Sequence, residues 1–399
     1  MTRHTPGDLE AWPASGAPLT VEVVGIDPEN QGACLMLLAI KQELSRRFPH
    51  VRIGVDVATP FEDRMRLGVW GVTPADWQMG WGAKRAKGWI ASSFAQQRHR
   101  IGLLNCREID LVLDASGFAY GDYWGPGKFD HFIARRMPFW TKHNTQRIAL
   151  PQAWGPFSAP AFQKNIARQL SEFDLVYARD GESFDHLRSS GVMNVREAPD
   201  FTNLLTTNHD LCPAKYRGYA ILIPNAKLVA QADATARASY LDFMQNALMS
   251  LSLTSDRVGV LIHEGKGDRQ LASELNGSFD LIDPRDALTS KHILAQARAV
   301  VSGRYHGLVS ALSAGVPSLA CAWSHKYQHL MNDYGLDWAC ATLRDTRSDL
   351  ESLARLVALT EDEPALSRLH ERAAAQKRAA LQCWDEIARA IHQNARIPA

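Results

Sequence analysis

Arg304, Tyr305 and His306 interrupt an otherwise apolar stretch, VVSGRYHGLVSALSAGVPSLA, residues 300–320. The stretch reads as a buried strand, a polar turn, a helix closed by Gly-Val-Pro, and a second apolar strand. Arg304 and His306 fall where the unpaired N–H groups of a new helix point outward, a position that favours an anion. A guanidinium adds a planar fork for phosphate or carboxylate. An imidazole can donate to phosphate or move a proton near neutral pH. The residues alone leave two readings open: an anion site, or an arginine paired with a carboxylate beside a core histidine.

Such residues need a frame to hold them. Residues 1–18 are polar and rich in Pro and Gly, and read as a loose segment. LTVEVVGI (19–26) reads as a strand, and QGACLMLLAIKQELSRRF (31–48) as an amphipathic helix with Leu35, Leu38, Ala39 and Leu44 along one face. VRIGVDV is a second strand, so the rhythm is that of an α/β domain with a parallel sheet. Residues 60–100, with four Trp and many Gly, break that rhythm and read as a surface loop or insertion. Strands resume at IDLVLDAS (109–116) and RIALPQAWGPF (147–157). DLVYARDGESFDHLRSSG (174–191) is a strand, turn and helix, and VREAPDFTNLL (195–205) a short strand with its turn. TTNHDLCPAKYRG (206–218) reads as a linker. A second series opens at YAILIPN and runs to about residue 361, and 362–399 is a terminal helical segment. The expectation is α/β: two Rossmann-like domains, 19–205 and 219–361, facing a cleft, with ligands at the carboxyl ends of parallel strands.

Composition narrows the partners. The 399 residues carry 44 Lys and Arg against 43 Asp and Glu, a net charge of +1. No global field points to nucleic acid or an anionic membrane surface. No apolar run approaches the roughly 18 residues of a membrane helix, and the first residues lack the apolar core of a signal peptide. The six cysteines show no zinc-like spacing. The expected location is the cytoplasm or the inner face of a membrane. No GxxxxGK[ST] or GxGxxG phosphate loop is present, and nothing sets an oligomeric state.

Five segments in order resemble the polysaccharide pyruvyl transferase family. SGRYHGLVSALSAGVPSLA, followed by WSHKYQHLMNDYGL, is similar to its C-terminal signature, with Tyr305 where the family carries Leu and Lys326 at the place of a family lysine. GIDPENQGACLMLLAI, DLVLDASG, LPQAWGPF and VYARDGESFDHLRSSGVMNVREAPD resemble four further blocks, so the likeness covers most of residues 20–340. Ala33 stands where an Asp is common, and Ala115-Ser116 replace part of a glycine run; both departures leave the acceptor's identity open.

The resemblance implies an enzyme that moves the pyruvyl group of phosphoenolpyruvate onto two saccharide hydroxyls, giving a cyclic ketal and phosphate. It implies a fold similar to GT-B glycosyltransferases and phosphoenolpyruvate as co-substrate; no other cofactor and no metal are expected, because scattered Asp residues could hold a divalent ion but side-chain cations cover the donor's charge. Phosphoenolpyruvate carries a phosphate and a carboxylate on one small frame, so its site needs clustered cations. Arg304 and Lys326 are the expected phosphate clamps, Arg179 the carboxylate ligand, and His306 the acid or phosphate-proton donor. Arg179 has a pair with Asp180 as its alternative, and Lys326 has open solvent. Asp114 and Asp27 are candidate bases for the acceptor hydroxyls, whereas Asp200 reads as a turn cap. His263 and Glu264 either line the cleft or simply end a strand. Asn30, Gly32, Trp81 and Trp89 are acceptor-side candidates. The Trp faces suit sugar rings, and nearby Lys84, Arg85 and Lys87 suit a diphosphate-linked carrier; the alternative is a lid packed on its own domain. A GT-B glycosyltransferase using a nucleotide sugar and a non-catalytic carbohydrate-binding relative stand as competing function classes.

Overall fold

Eight short strands form the first sheet: β1 (Thr20–Val24), β2 (Arg52–Asp56), β3 (Trp70–Thr73), β4 (Leu103–Asn105), β5 (Leu111–Asp114), β6 (Gln146–Gln152), β7 (Leu175–Ala178) and β8 (Val195–Glu197). They pair in parallel in the order β4-β3-β2-β1-β5-β6-β7-β8. The inner strands LVLD and LVYA are buried at every residue, as near-continuous apolar strands are when helices cover both faces of a sheet. The chain order reverses between β1 and β5, where Val24 lies opposite Asp114 at the carboxyl ends. Helices α1 (Gln31–Arg47), α2 (Phe61–Leu67), α3 (Pro160–Leu170) and α4 (Gly181–Ser189) connect these strands.

The computed structural model describes residues 18–73, 95–230, 233–321 and 325–394. It corrects the expected loop over 60–100. Phe61–Leu67 is a helix that ends on Gly68 in a left-handed conformation, and Trp70–Thr73 is a sheet strand paired with β2 and β4. The glycines at 68 and 71 masked this helix and strand: one is a helix terminator, and the other sits under the Arg64 guanidinium, where no side chain fits. Trp81 and Trp89 lie outside the described residues.

The second sheet has six parallel strands: β9 (Ala220–Ile223), β10 (Val258–Leu261), β11 (Asp280–Ile282), β12 (Ala299–Ser302), β13 (Ser318–Cys321) and β14 (Cys340–Ala341), in the order β11-β10-β9-β12-β13-β14. This is the doubly wound order with its switch point between β9 and β12. Its helices are α5 (Ala234–Leu251), α6 (Gly265–Ser273), α7 (Ala287–Leu294), α8 (Tyr305–Leu312), α9 (His325–Asp333) and α10 (Thr346–Leu359), followed by α11 (Glu363–His392). Leu308, Val309 and Leu312 of α8 are fully buried with Tyr327, Met331 and Leu369. Each such side chain contributes about 1.5–3 kcal/mol, which fixes α8 against β13, α9 and α11.

Two compact units emerge from the chain's contacts. The first takes in the described residues to Pro28, then Met36–Ala198 and Leu381 onward; the second takes in Glu29–Leu35 and Pro199–Ala380. Among the described residues, no helix is long and apolar enough to cross a membrane.

Candidate functional site

The turn between β12 and α8 is built rigidly. Ser302 Oγ accepts the Arg304 N–H at 2.9 Å and donates back to the Arg304 carbonyl at 3.0 Å. The Gly303 carbonyl accepts both Asn225 Nδ2 at 2.7 Å and the Tyr327 hydroxyl at 2.8 Å. Asn225 follows β9, so both strands at the switch point brace the start of α8. Arg304 occupies the position before α8 in extended conformation and supplies no side-chain cap.

Arg304 itself is committed to carboxylates. Its Nε lies 3.2 Å from Asp268 Oδ2, its second terminal nitrogen bonds Asp268 Oδ1, and its first bonds Glu264. Glu264 also takes Lys227 at 2.6 Å. Burial pushes the Asp268 carboxyl up, and the Arg304 charge opposes that. The paired alternative is therefore the one the geometry realises for Arg304, and its guanidinium is not presented as an open phosphate fork.

His306 is placed differently. Its Nε2 lies 3.4 Å from Asp200 Oδ2. The other Asp200 oxygen accepts the Thr202 N–H at 2.9 Å and the Thr202 hydroxyl at 2.6 Å. Asp200 is thus the turn cap expected of it and, in addition, the carboxylate that faces the His306 ring. On the other side of the ring, a Cβ at Gly32 would run into His306 Nδ1, so only glycine fits there. Asn30 Oδ1 caps α1 by accepting the Gly32 and Ala33 N–H groups at 2.9 and 3.3 Å. The second unit therefore brings the N-termini of α1 and α8 together at one imidazole. Two helix starts reinforce each other's positive potential. Asn30 and Gly32, expected on the acceptor side of the first domain, belong by contact to the second unit.

Lys326 is 8% exposed, in the first turn of α9. Its Nζ lies 5.6 Å from the Tyr305 ring centroid and 5.5 Å from that of Tyr327, and Tyr305 stands edge-on to His306 at 5.5 Å. The open-solvent alternative for this lysine does not hold.

Lys291 escaped the sequence reading. It is fully buried on α7, and Nζ donates to Ser313 Oγ at 3.2 Å. Burial brings its pKa down to about 7, against the pull of Asp200, with Lys377 adding to the fall. A signal existed: Ala287, Lys291 and Leu294 share one helix face, and a lysine on an apolar face stands out.

His263 ends β10 and is 3% exposed. Burial, followed by the charges of Arg304 and His306, lowers it to about 3, so the ring is neutral. It lines a pocket of 250 Å³ together with Gln31, Glu264 and Lys266.

The first unit holds the remaining candidates. Asp114 is completely buried at the end of β5. Its oxygens accept from Ser116 Oγ at 2.5 Å, Gln152 Nε2 at 2.9 Å and Tyr120 OH at 3.2 Å, and burial raises its pKa. A carboxyl so enclosed braces the turn after β5, and the geometry speaks against the base role expected of it. Asp27 is exposed in the loop after β1. Arg179 is 5% exposed at the end of β7. Its neighbour Asp180 caps α4 through the Ser183 N–H at 2.8 Å. Among the described residues, no group of three His, Cys, Asp or Glu side chains is placed to hold a metal ion.

Comparison with known proteins adds to this geometry. S. aureus MnaA, solved with UDP, superposes with a TM-score of 0.55 at 12% identity, covering 96% of this chain and 99% of that one. UDP-GlcNAc 2-epimerase from Neisseria meningitidis, solved with UDP-GlcNAc, gives 0.52 at 12% identity, covering 94% and 100%. At such identities the likeness is one of fold, the two-sheet GT-B architecture. A search of curated proteins returned no match. A family model described as Polysaccharide pyruvyl transferase matches residues 30–325, from the cap of α1 to the residue before Lys326. That span takes in both helix starts at His306, and the chain belongs to the polysaccharide pyruvyl transferase family.

Proposed function

We propose that the protein transfers the pyruvyl group of phosphoenolpyruvate to two hydroxyls of a saccharide, and that the donor phosphate is held at the His306 end of α8. The observation that carries this reading is the meeting of two helix N-termini at one imidazole, with buried Lys326 close by. In the reaction the methylene carbon gains a proton and the first hydroxyl oxygen bonds the central carbon. The carbon–oxygen bond to phosphate breaks, and the second hydroxyl oxygen bonds the same carbon. Of the two hydroxyl protons, one is balanced by the new methyl group and the other leaves with phosphate.

His306, with Asp200 Oδ2 3.4 Å from one nitrogen and Gly32 leaving room for the other, is the proposed proton donor. Lys326 and the helix dipoles stabilise charge on the departing phosphate. Arg304 shapes the turn through its carboxylates. Arg304→Ala leaves buried Asp268 uncompensated, a loss of about 3–5 kcal/mol, and so cannot separate binding from folding. The roles of Arg179 and Asp27 rest on the family resemblance.

The test is thermal unfolding with and without phosphoenolpyruvate, with UDP in parallel, on wild type, His306→Asn and Lys326→Met. A ligand at a hundredfold excess over its Kd adds about 2.7 kcal/mol. Stabilisation by phosphoenolpyruvate that both variants lose is the expected result. Stabilisation by UDP and none by phosphoenolpyruvate would overturn the reading in favour of a nucleotide-sugar enzyme.

A further inference from the structure

The start of α6 has the marks of a second anion subsite, apart from the turn at α8. Helix α6 follows β10 directly through His263 and Glu264. Glu264, at the capping position, gives no side-chain bond to the helix. The N–H groups of Gly265, Lys266 and Gly267 find no acceptor among the described residues. Gly265 has a φ of +59° and open space where a Cβ would be, which leaves the first turn bare. Four N–H groups at a helix start need partners, and an anion supplies them.

A second observation comes from His263. The residue is 3% exposed and is one of those lining the pocket in front of α6, and its buried Nε2 has no hydrogen-bond partner. A buried ring nitrogen left unpaired is costly, and a bound group can satisfy it. As the Nε2–H tautomer the neutral ring is a donor.

The charged groups around the pocket are unequally committed. Glu264 is held by Arg304 and Lys227, and Asp283 by Arg269. Lys266, exposed beside the bare helix start, has no partner among the described residues. Glu29 is an exposed carboxylate in the lining and works against an anion. The groups left without a partner among the described residues are donors: one ammonium, three backbone N–H groups and one imidazole. The pocket's 250 Å³ falls below the roughly 300–1,000 Å³ of drug-sized sites. It suits a headgroup and not an oligosaccharide.

We infer that this pocket binds the phosphoryl group of a phosphorylated saccharide, on Lys266 Nζ, the first-turn N–H groups of α6 and His263. The saccharide part rests on the transferase reading above; the anion subsite stands on α6 and His263 alone. It gives the enzyme two phosphate-sized positions, one for the donor at α8 and one for the acceptor at α6.

The experiment is calorimetric titration of the full chain with glucose 1-phosphate and, separately, with phosphoenolpyruvate. The variants are Lys266→Ala, His263→Gln and Glu29→Gln. Loss of one charge-assisted hydrogen bond weakens binding about tenfold or more. Glucose 1-phosphate should weaken by that factor in Lys266→Ala and His263→Gln, and tighten in Glu29→Gln. Lys266 is exposed, so its variant keeps the test alive if His263→Gln does not fold. No binding of glucose 1-phosphate by wild type at about 10 mM overturns the proposal, as does equal affinity in wild type and Lys266→Ala. Weakening of phosphoenolpyruvate alone in Lys266→Ala overturns it too, by making the pocket a donor site. Failure of phosphoenolpyruvate to bind, with the glucose 1-phosphate pattern intact, removes the donor reading and leaves the subsite standing.

Discussion

Lys291 carries the clearest residue-scale consequence. An ordinary lysine titrates at 10.5, and this one at about 7. Between those values the unfolded chain holds a proton that the folded chain has released, so this residue makes folding stability rise with pH across that window. Lys291→Met keeps the bulk and removes the titration. Denaturant midpoints measured from pH 7 to 10 should show wild type gaining on the variant as pH rises; parallel curves would refute a depressed lysine. At the same scale, the arginine and histidine of the opening motif parted company. Their types and spacing were legible, and so was the choice between anion site and ion pair. What decided it for Arg304 was Asp268, on helix α6, whose approach depends on the pairing of β10 with β9 and of β9 with β12. No local pattern encodes that.

The helix starts matter most at the scale of elements. Helix α1 was plain from its apolar face, and α8 from its Gly-Val-Pro stop. Their convergence at His306 was not, because it is a contact between residues far apart in the chain. Gly32 records it: alanine is the better helix former by roughly 1 kcal/mol, yet here its Cβ would displace the His306 ring. Gly32→Ala should leave the melting temperature within a few degrees of wild type while phosphoenolpyruvate binding weakens by about tenfold or more. Full-strength binding in that variant would mean that the ring has no fixed position to lose. Strand β3 and helix α2 were hidden for the opposite reason. Glycines that mark turns elsewhere serve here as a helix terminator and as a seat for Arg64.

The whole molecule is α/β throughout, and the alternation of apolar strands with amphipathic helices was enough to anticipate two parallel sheets. The parts played by α11 were less visible. Leu369 and Ala373 are buried in the second unit, whereas Trp384, Ile387 and Ile391 are buried beyond residue 380, where the chain counts with the first. Glu386 bonds the Tyr177 hydroxyl and pairs with Arg196 at β7 and β8. Trp384→Ala should cost the first unit about 3–5 kcal/mol. Hydrogen exchange would detect this as lost protection in β6 and β7, and unchanged protection there would deny α11 a structural part. The same feature has a consequence in time. The first sheet is translated before the second, yet the helix turns that cover it arrive only after the second sheet is made. At roughly 5–20 residues per second, the earlier half of the protein waits, incompletely covered, for the later half to be synthesised. The part that begins first is the last to be finished.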